Sequence, residues 1–158
     1  MSAIEENRLD DAIMLRSRAV WPDVLAAVLA LVGLADAIYL TVSHLTGQSV
    51  RCTVTSGCSE VLSSHYATVG GFPLAAFGAA AYFTVFSLAT LAAFDYRFAR
   101  TLWAVIVTVM FLFSLWLVYL QAFVLRAFCQ FCLLSAAVTT LLFLLALVTR
   151  LPKTKRAV

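Results

Sequence analysis

The chain has 158 residues, of which 63% are hydrophobic and 12% charged, with a formal net charge of +3 and a mean hydropathy of +0.99. Soluble domains are about half apolar, so this composition excludes one and leaves a single small integral membrane domain. A charge this small gives no reason to expect a nucleic-acid partner.

Crossing a bilayer core takes roughly 20 apolar residues. Four stretches qualify: 24–42, 72–94, 102–124 and about 131–148. The sequence therefore predicts an all-α integral membrane fold, a four-helix transmembrane bundle, and an even number of spans puts both termini on one side. Arg8, Arg16 and Arg18 precede the first span, Arg97 and Arg100 lie in the second connection, and Arg150, Lys153, Lys155 and Arg156 follow the last. Only Arg51 and Arg126 fall in the other two connections. By the positive-inside rule this distribution assigns the termini and the second connection to the cytoplasm. All four cysteines, Cys52, Cys58, Cys129 and Cys132, then lie on the exoplasmic side, the compartment in which disulfides persist.

In chain order, residues 1–22 mix acids and arginines and read as a cytoplasmic segment, either surface-lying or a docking helix. Trp21 and Pro22 suit an interfacial aromatic and the first turn of a helix. The apolar run behind them lacks a clear cleavage site and is expected to remain as a helix. Within it Asp36 is a costly residue for a membrane helix. A proton-handling role and a hydrogen bond inside the bundle are both open readings.

Residues 44–71 form the long exoplasmic loop, carrying the Cys52 and Cys58 pair, both histidines, His44 and His65, and a segment 59–64 expected to form a short surface helix. His65 is a second proton-handling candidate beside its plain reading as a surface residue. Gly70, Gly71 and Pro73 break the chain before span two, whose run of alanines and glycine permits close helix approach. The second connection is a tight turn. Span three carries Phe111, Phe113, Trp116, Tyr119 and Phe123, which serve either as core and interfacial belt or as walls for a flat aromatic ligand. Span four opens on the Cys-x-x-Cys of Cys129 and Cys132 and ends in the basic tail 151–158.

Cys129 and Cys132 are three apart, so on a helix they face one way, and a thiol at a helix amino end is stabilised as thiolate. Cys52 and Cys58 enclose only five residues. A bridge there cross-links little chain, stabilises modestly, and suits exchange. Static bridges remain the plain alternative. The spacing is not that of a zinc ribbon, and Leu133 stands where heme attachment needs His, so no metal is expected. Thiol exchange needs a final electron acceptor. In a bilayer, with no nucleotide-binding motif in the chain, a lipid-soluble quinone fits, either ubiquinone or menaquinone.

Four features resemble the bacterial branch of the vitamin K epoxide reductase family: Tyr39-Leu40-Thr41, Cys52-x5-Cys58 followed by Ser59 to Ser64, Gly71-Phe72-Pro73-Leu74, and Phe128-Cys129-x-x-Cys132-Leu133. The resemblance covers residues 24–150. It implies a relay in which a reduced thioredoxin-fold partner attacks Cys52, Cys58 then attacks Cys129, and Cys132 delivers electrons to the quinone. By the same likeness Ser64 bonds a quinone oxygen. Phe72, Phe113 and Trp116 are expected as pocket walls independently of that likeness. The localisation implied is the bacterial inner membrane. The chain is short for a fused thioredoxin-like domain, so a separate partner is expected. Ala136 replaces the tyrosine of the vertebrate enzymes, and epoxide reduction is not implied.

Overall fold

The computed structural model describes residues 3–48, 50, 52, 53 and 57–150. Arg51, residues 54–56 of the cysteine loop and the basic tail 151–158 lie outside the described residues. The chain runs as α1 (Ala3–Leu45), the short α2 (Cys58–Ser63), a 3₁₀ turn at His65–Ala67, β1 (Thr68–Val69), β2 (Phe72–Pro73), α3 (Leu74–Ala93), α4 (Arg97–Tyr119), a π turn at Leu120–Leu125 and α5 (Gln130–Arg150). Four of these helices are long and apolar enough to cross a membrane, as expected from the sequence.

The first helix is longer than expected. It starts at Ala3 and runs through Pro22 without a break, so Pro22 does not open it. Proline removes one helical hydrogen bond and crowds the preceding turn, costs that membrane helices meet through neighbouring groups. Helix-favouring Ala, Glu, Leu, Met and Arg carry the helix back through the polar segment.

Span two also begins slightly later than expected, at Leu74. The two residues before it pair with Thr68 and Val69 in a minimal antiparallel ladder, Thr68 opposite Pro73 and Val69 opposite Phe72. The reversal falls on Gly70 and Gly71, with φ of +59° and +86°. A two-residue hairpin turn of this hand needs positive φ at both central positions, which glycine adopts without steric cost.

In the bundle α1 packs on α3 and α5, and α4 packs on the same two helices from the other side. Close approach of α1 and α3 rests on a small-residue stripe of α1. Ala26, Ala30 and Ala37 are buried against Val85, Ala89 and Ala92 of α3. Gly33 belongs to the stripe, and a Cβ there would lie 2.3 Å from the ring of Tyr82. The alanine-rich start of α3 contributes less than expected, because Ala80 faces outward, although Gly78 does sit against Ala37. Outward faces carry large apolar residues such as Val28, Phe83, Leu112 and Leu144, the surface a bilayer covers.

At the end of the bundle that holds the α3–α4 turn, Asp23 is fully buried and paired with Arg100. Trp103 and Leu142, both fully buried, belong to the core cluster of the bundle. The opposite end holds the cysteines.

Candidate functional site

The cysteine end is built by three local devices. First, Cys129 lies immediately ahead of α5, and its carbonyl accepts the first helical bond, from Leu133 N–H at 3.0 Å. Its sulfur is therefore in the N-cap position, where it accepts from the backbone N–H groups of Phe131 and Cys132. Second, the π turn that ends α4 turns Gln121 inward, and Gln121 is 3% exposed. Its Oε1 accepts the Cys129 N–H at 3.1 Å, while its carbonyl accepts Ala127 N–H. Arg126, at φ +50°, makes the left-handed step that releases the chain from the turn toward Cys129. Third, the loop is tied to the Cys-x-x-Cys itself: Thr53 N–H donates to Gln130 Oε1 at 3.0 Å.

Cys52 and Cys58 form a disulfide with Cα atoms 5.7 Å apart, within the usual range. Cys129 and Cys132 are thiols. Cys58 and Cys129 are both buried in one cluster with Leu40, Val50, Val61 and Ala127, and Cys52 and Cys132 pack against it. Gly57 enforces that closeness. A Cβ at Gly57 would lie 2.8 Å from Phe128 N and 3.0 Å from Phe128 O, so the backbone before Cys58 rests directly on the backbone before Cys129.

A hydrogen bond from the Cys132 thiol holds the Cys129 thiol below its ordinary value, at about 7, against the opposing effect of burial. Two thiols this close lose their first proton as a pair. One thiolate is therefore present near neutral pH.

Beside the cluster is a cavity of about 350 Å³ between α1, α3, α4 and α5 and under the loop. Its wall is mostly apolar, with Leu40, Leu74, Phe77 and Leu117 among its residues, and Cys132 opens onto it. Flat apolar ligands occupy cavities of this size and character. Ser64, Phe113 and Asp36 lie on the wall. The Ser64 hydroxyl donates to Val61 O at 2.7 Å, so it must rotate before it can donate to a ligand.

The other expected wall residues lie elsewhere. Phe72 is 68% and Trp116 48% exposed, and neither borders the cavity. Trp116 packs beside Phe113 from the outer side, with ring centroids 5.4 Å apart. His65 is exposed in the 3₁₀ turn and also lies off the wall, whereas His44 borders it. Of the remaining span-three aromatics, Phe111 stacks on Phe143 at 4.4 Å, and Tyr119 and Phe123 form an outward pair. Helical spacing could not tell these from wall residues, since a four-helix bundle offers each helix two inner neighbours and an outer face. Gln121 was missed. Its signal is that it is the one amide in an otherwise apolar span.

A thiol pair at a helix start, a disulfide packed against it and an apolar cavity opening on one thiol define a membrane oxidoreductase of the thiol type. Residues 24–147 match the Vitamin K epoxide reductase family, and the chain belongs to that family.

Proposed function

We propose that the protein passes electrons from a dithiol partner, through its two cysteine pairs, to a membrane quinone. The observation that carries this reading is that all four cysteines gather at one cluster and that Cys132 continues from it onto the cavity wall. The partner is a thioredoxin-fold disulfide oxidase on the exoplasmic side of the bacterial inner membrane, and both termini of the present chain are cytoplasmic. Its thiolate attacks Cys52. The released Cys58 thiolate, held against Cys129, exchanges into a Cys129–Cys132 bridge and frees Cys132. The partner's second thiol then breaks the partner–Cys52 bond and the partner leaves oxidised; the freed Cys52 thiolate recaptures Cys58 from Cys129, and Cys129 and Cys132 are left as the reduced pair beside the cavity.

The quinone, ubiquinone or menaquinone, occupies the cavity with Phe113 along one face and Ser64 near one oxygen. Two electrons leave the thiol pair as its disulfide closes, and the quinone takes two electrons and two protons. Thiol oxidation in exported proteins is the outcome, through the reoxidised partner. The test is anaerobic mixing of the purified protein with a reduced thioredoxin-fold dithiol and each quinone, following quinone absorbance. Equimolar loss of dithiol and quinone is expected. Appearance of dithiol from quinol would reverse the direction, and full activity in Cys52→Ala with Cys58→Ala would end the relay.

A further inference from the structure

We propose that Asp36 is the acid that protonates the substrate oxygen in the cavity, an assignment that rests on the quinone reading above. Asp36 is 8% exposed, and its Oδ2 is buried without a hydrogen-bond partner, yet the residue borders the same cavity as Cys132. A buried polar atom that the protein does not satisfy calls for an explanation, and intramembrane carboxylates commonly mark proton sites.

Several polar groups of the wall already have partners. Tyr82 and Ser135 share a hydroxyl–hydroxyl bond of 2.8 Å. Thr139 donates its hydroxyl to nearby oxygens at 3.0 to 3.1 Å, and Ser64 donates to Val61 O. All four border the cavity. Among the described wall residues Asp36 is the one with a buried side-chain oxygen left without a partner, and a carboxyl there can carry an exchangeable proton.

The step balances with Asp36 in it. The Cys129–Cys132 pair, carrying one thiol proton and one negative charge, closes to a disulfide and gives two electrons to the quinone. One quinol proton comes from the thiol and the other from the Asp36 carboxyl, which is left ionised. It recovers a proton from solvent through the loop-side mouth, replacing the one released when the thiol pair ionised.

The other titratable groups on the wall are Tyr82 from α3, Cys132 from α5, His44 on α1 itself and Tyr66 from the loop. Among the described residues no lysine, arginine or glutamate borders it. An acid that must hold its proton makes the rate fall as pH rises, whereas ionisation of the thiol pair makes it rise. The two limbs are therefore distinguishable.

The experiment follows reduction of a short-chain quinone by the dithiol-reduced protein across pH, in wild type, Asp36→Asn, Asp36→Glu and His44→Gln. In Asp36→Asn, kcat is expected to fall about 100-fold, with KM and the rate of partner oxidation by the loop disulfide unchanged and the alkaline decline lost. Asp36→Glu keeps a carboxyl and is expected to recover about a tenth of the wild-type rate, together with the decline. An unchanged kcat in Asp36→Asn, a change in KM alone, a glutamate variant as slow as the asparagine variant, or transfer of the decline to His44→Gln would each overturn the assignment. Wild type that fails to reduce quinone at all would instead remove the reading on which it rests.

Discussion

Among its described residues helix α1 carries two buried aspartates, Asp23 and Asp36, one toward each end of the bundle, and the bundle treats them oppositely. Asp23 is fully buried and is met by Arg100 from α4. Among the described residues Asp36 is met by no cation, and it borders a cavity roofed by the cysteine loop. A buried charge that is paired is a structural device. A buried acid left beside an apolar cavity is a chemical one. The difference teaches that one helix face, built of the same small residues, is a closed packing surface at one end and a reaction chamber at the other.

Substitutions at the two ends should therefore separate stability from activity. The largest expected effect is at the cysteine end: Cys132→Ala should reduce quinone turnover to the uncatalysed background while thermal melting in detergent stays that of wild type. Loss of both together would mean that the cysteine end also holds the fold. Asp23→Ala should behave in the opposite way, lowering stability by about 2 kcal/mol with turnover per folded molecule retained. That is less than for a fully buried pair, because the Arg100 side chain is 35% exposed. Denaturant melts with parallel quinone assays would check it.

Gly57→Ala sharpens the contact between the two cysteine segments. Its Cβ would meet the Phe128 backbone, and overpacking of about 1.4 kcal/mol corresponds to tenfold slower exchange between Cys58 and Cys129. Trapping the Cys58–Cys129 disulfide with time measures it. The thiol pair should gain ultraviolet thiolate absorbance as pH rises through about 7, thiol below and thiolate above. In Cys132→Ala the Cys129 midpoint should move up toward an ordinary thiol, since its strongest hydrogen-bond donor is gone. The smallest effect belongs to Gln130→Ala. It removes the acceptor for Thr53 N–H, worth about 0.5 to 1.5 kcal/mol, and should slow exchange roughly threefold.

Much of the site was legible residue by residue. Cys129 heads its helix because Cys-x-x-Cys falls where the apolar run of span four begins. Asp36 was conspicuous as an acid in a membrane helix. The aromatic assignments divided: Phe113 borders the cavity, and Phe72 and Trp116 do not. A residue on a membrane helix can face lipid or a cavity with the same apolar side chain, so hydropathy carries no sign of which. Pro22 misled in the same way, because local propensity places it at a helix start while the backbone continues through it.

The sequence by itself determined the four spans, since their length and apolarity match the bilayer, and the grouping of the cysteines at one end, since span order puts both connections there. Tertiary structure decided the rest. The contact of Gly57 with Phe128, the Gln121 anchor on Cys129 and the cavity joining Cys132 to Asp36 all bring together residues far apart in the chain. Such contacts depend on how helices rotate and cross, and rotation is set by close packing of shapes, which no one-dimensional pattern of apolar residues specifies.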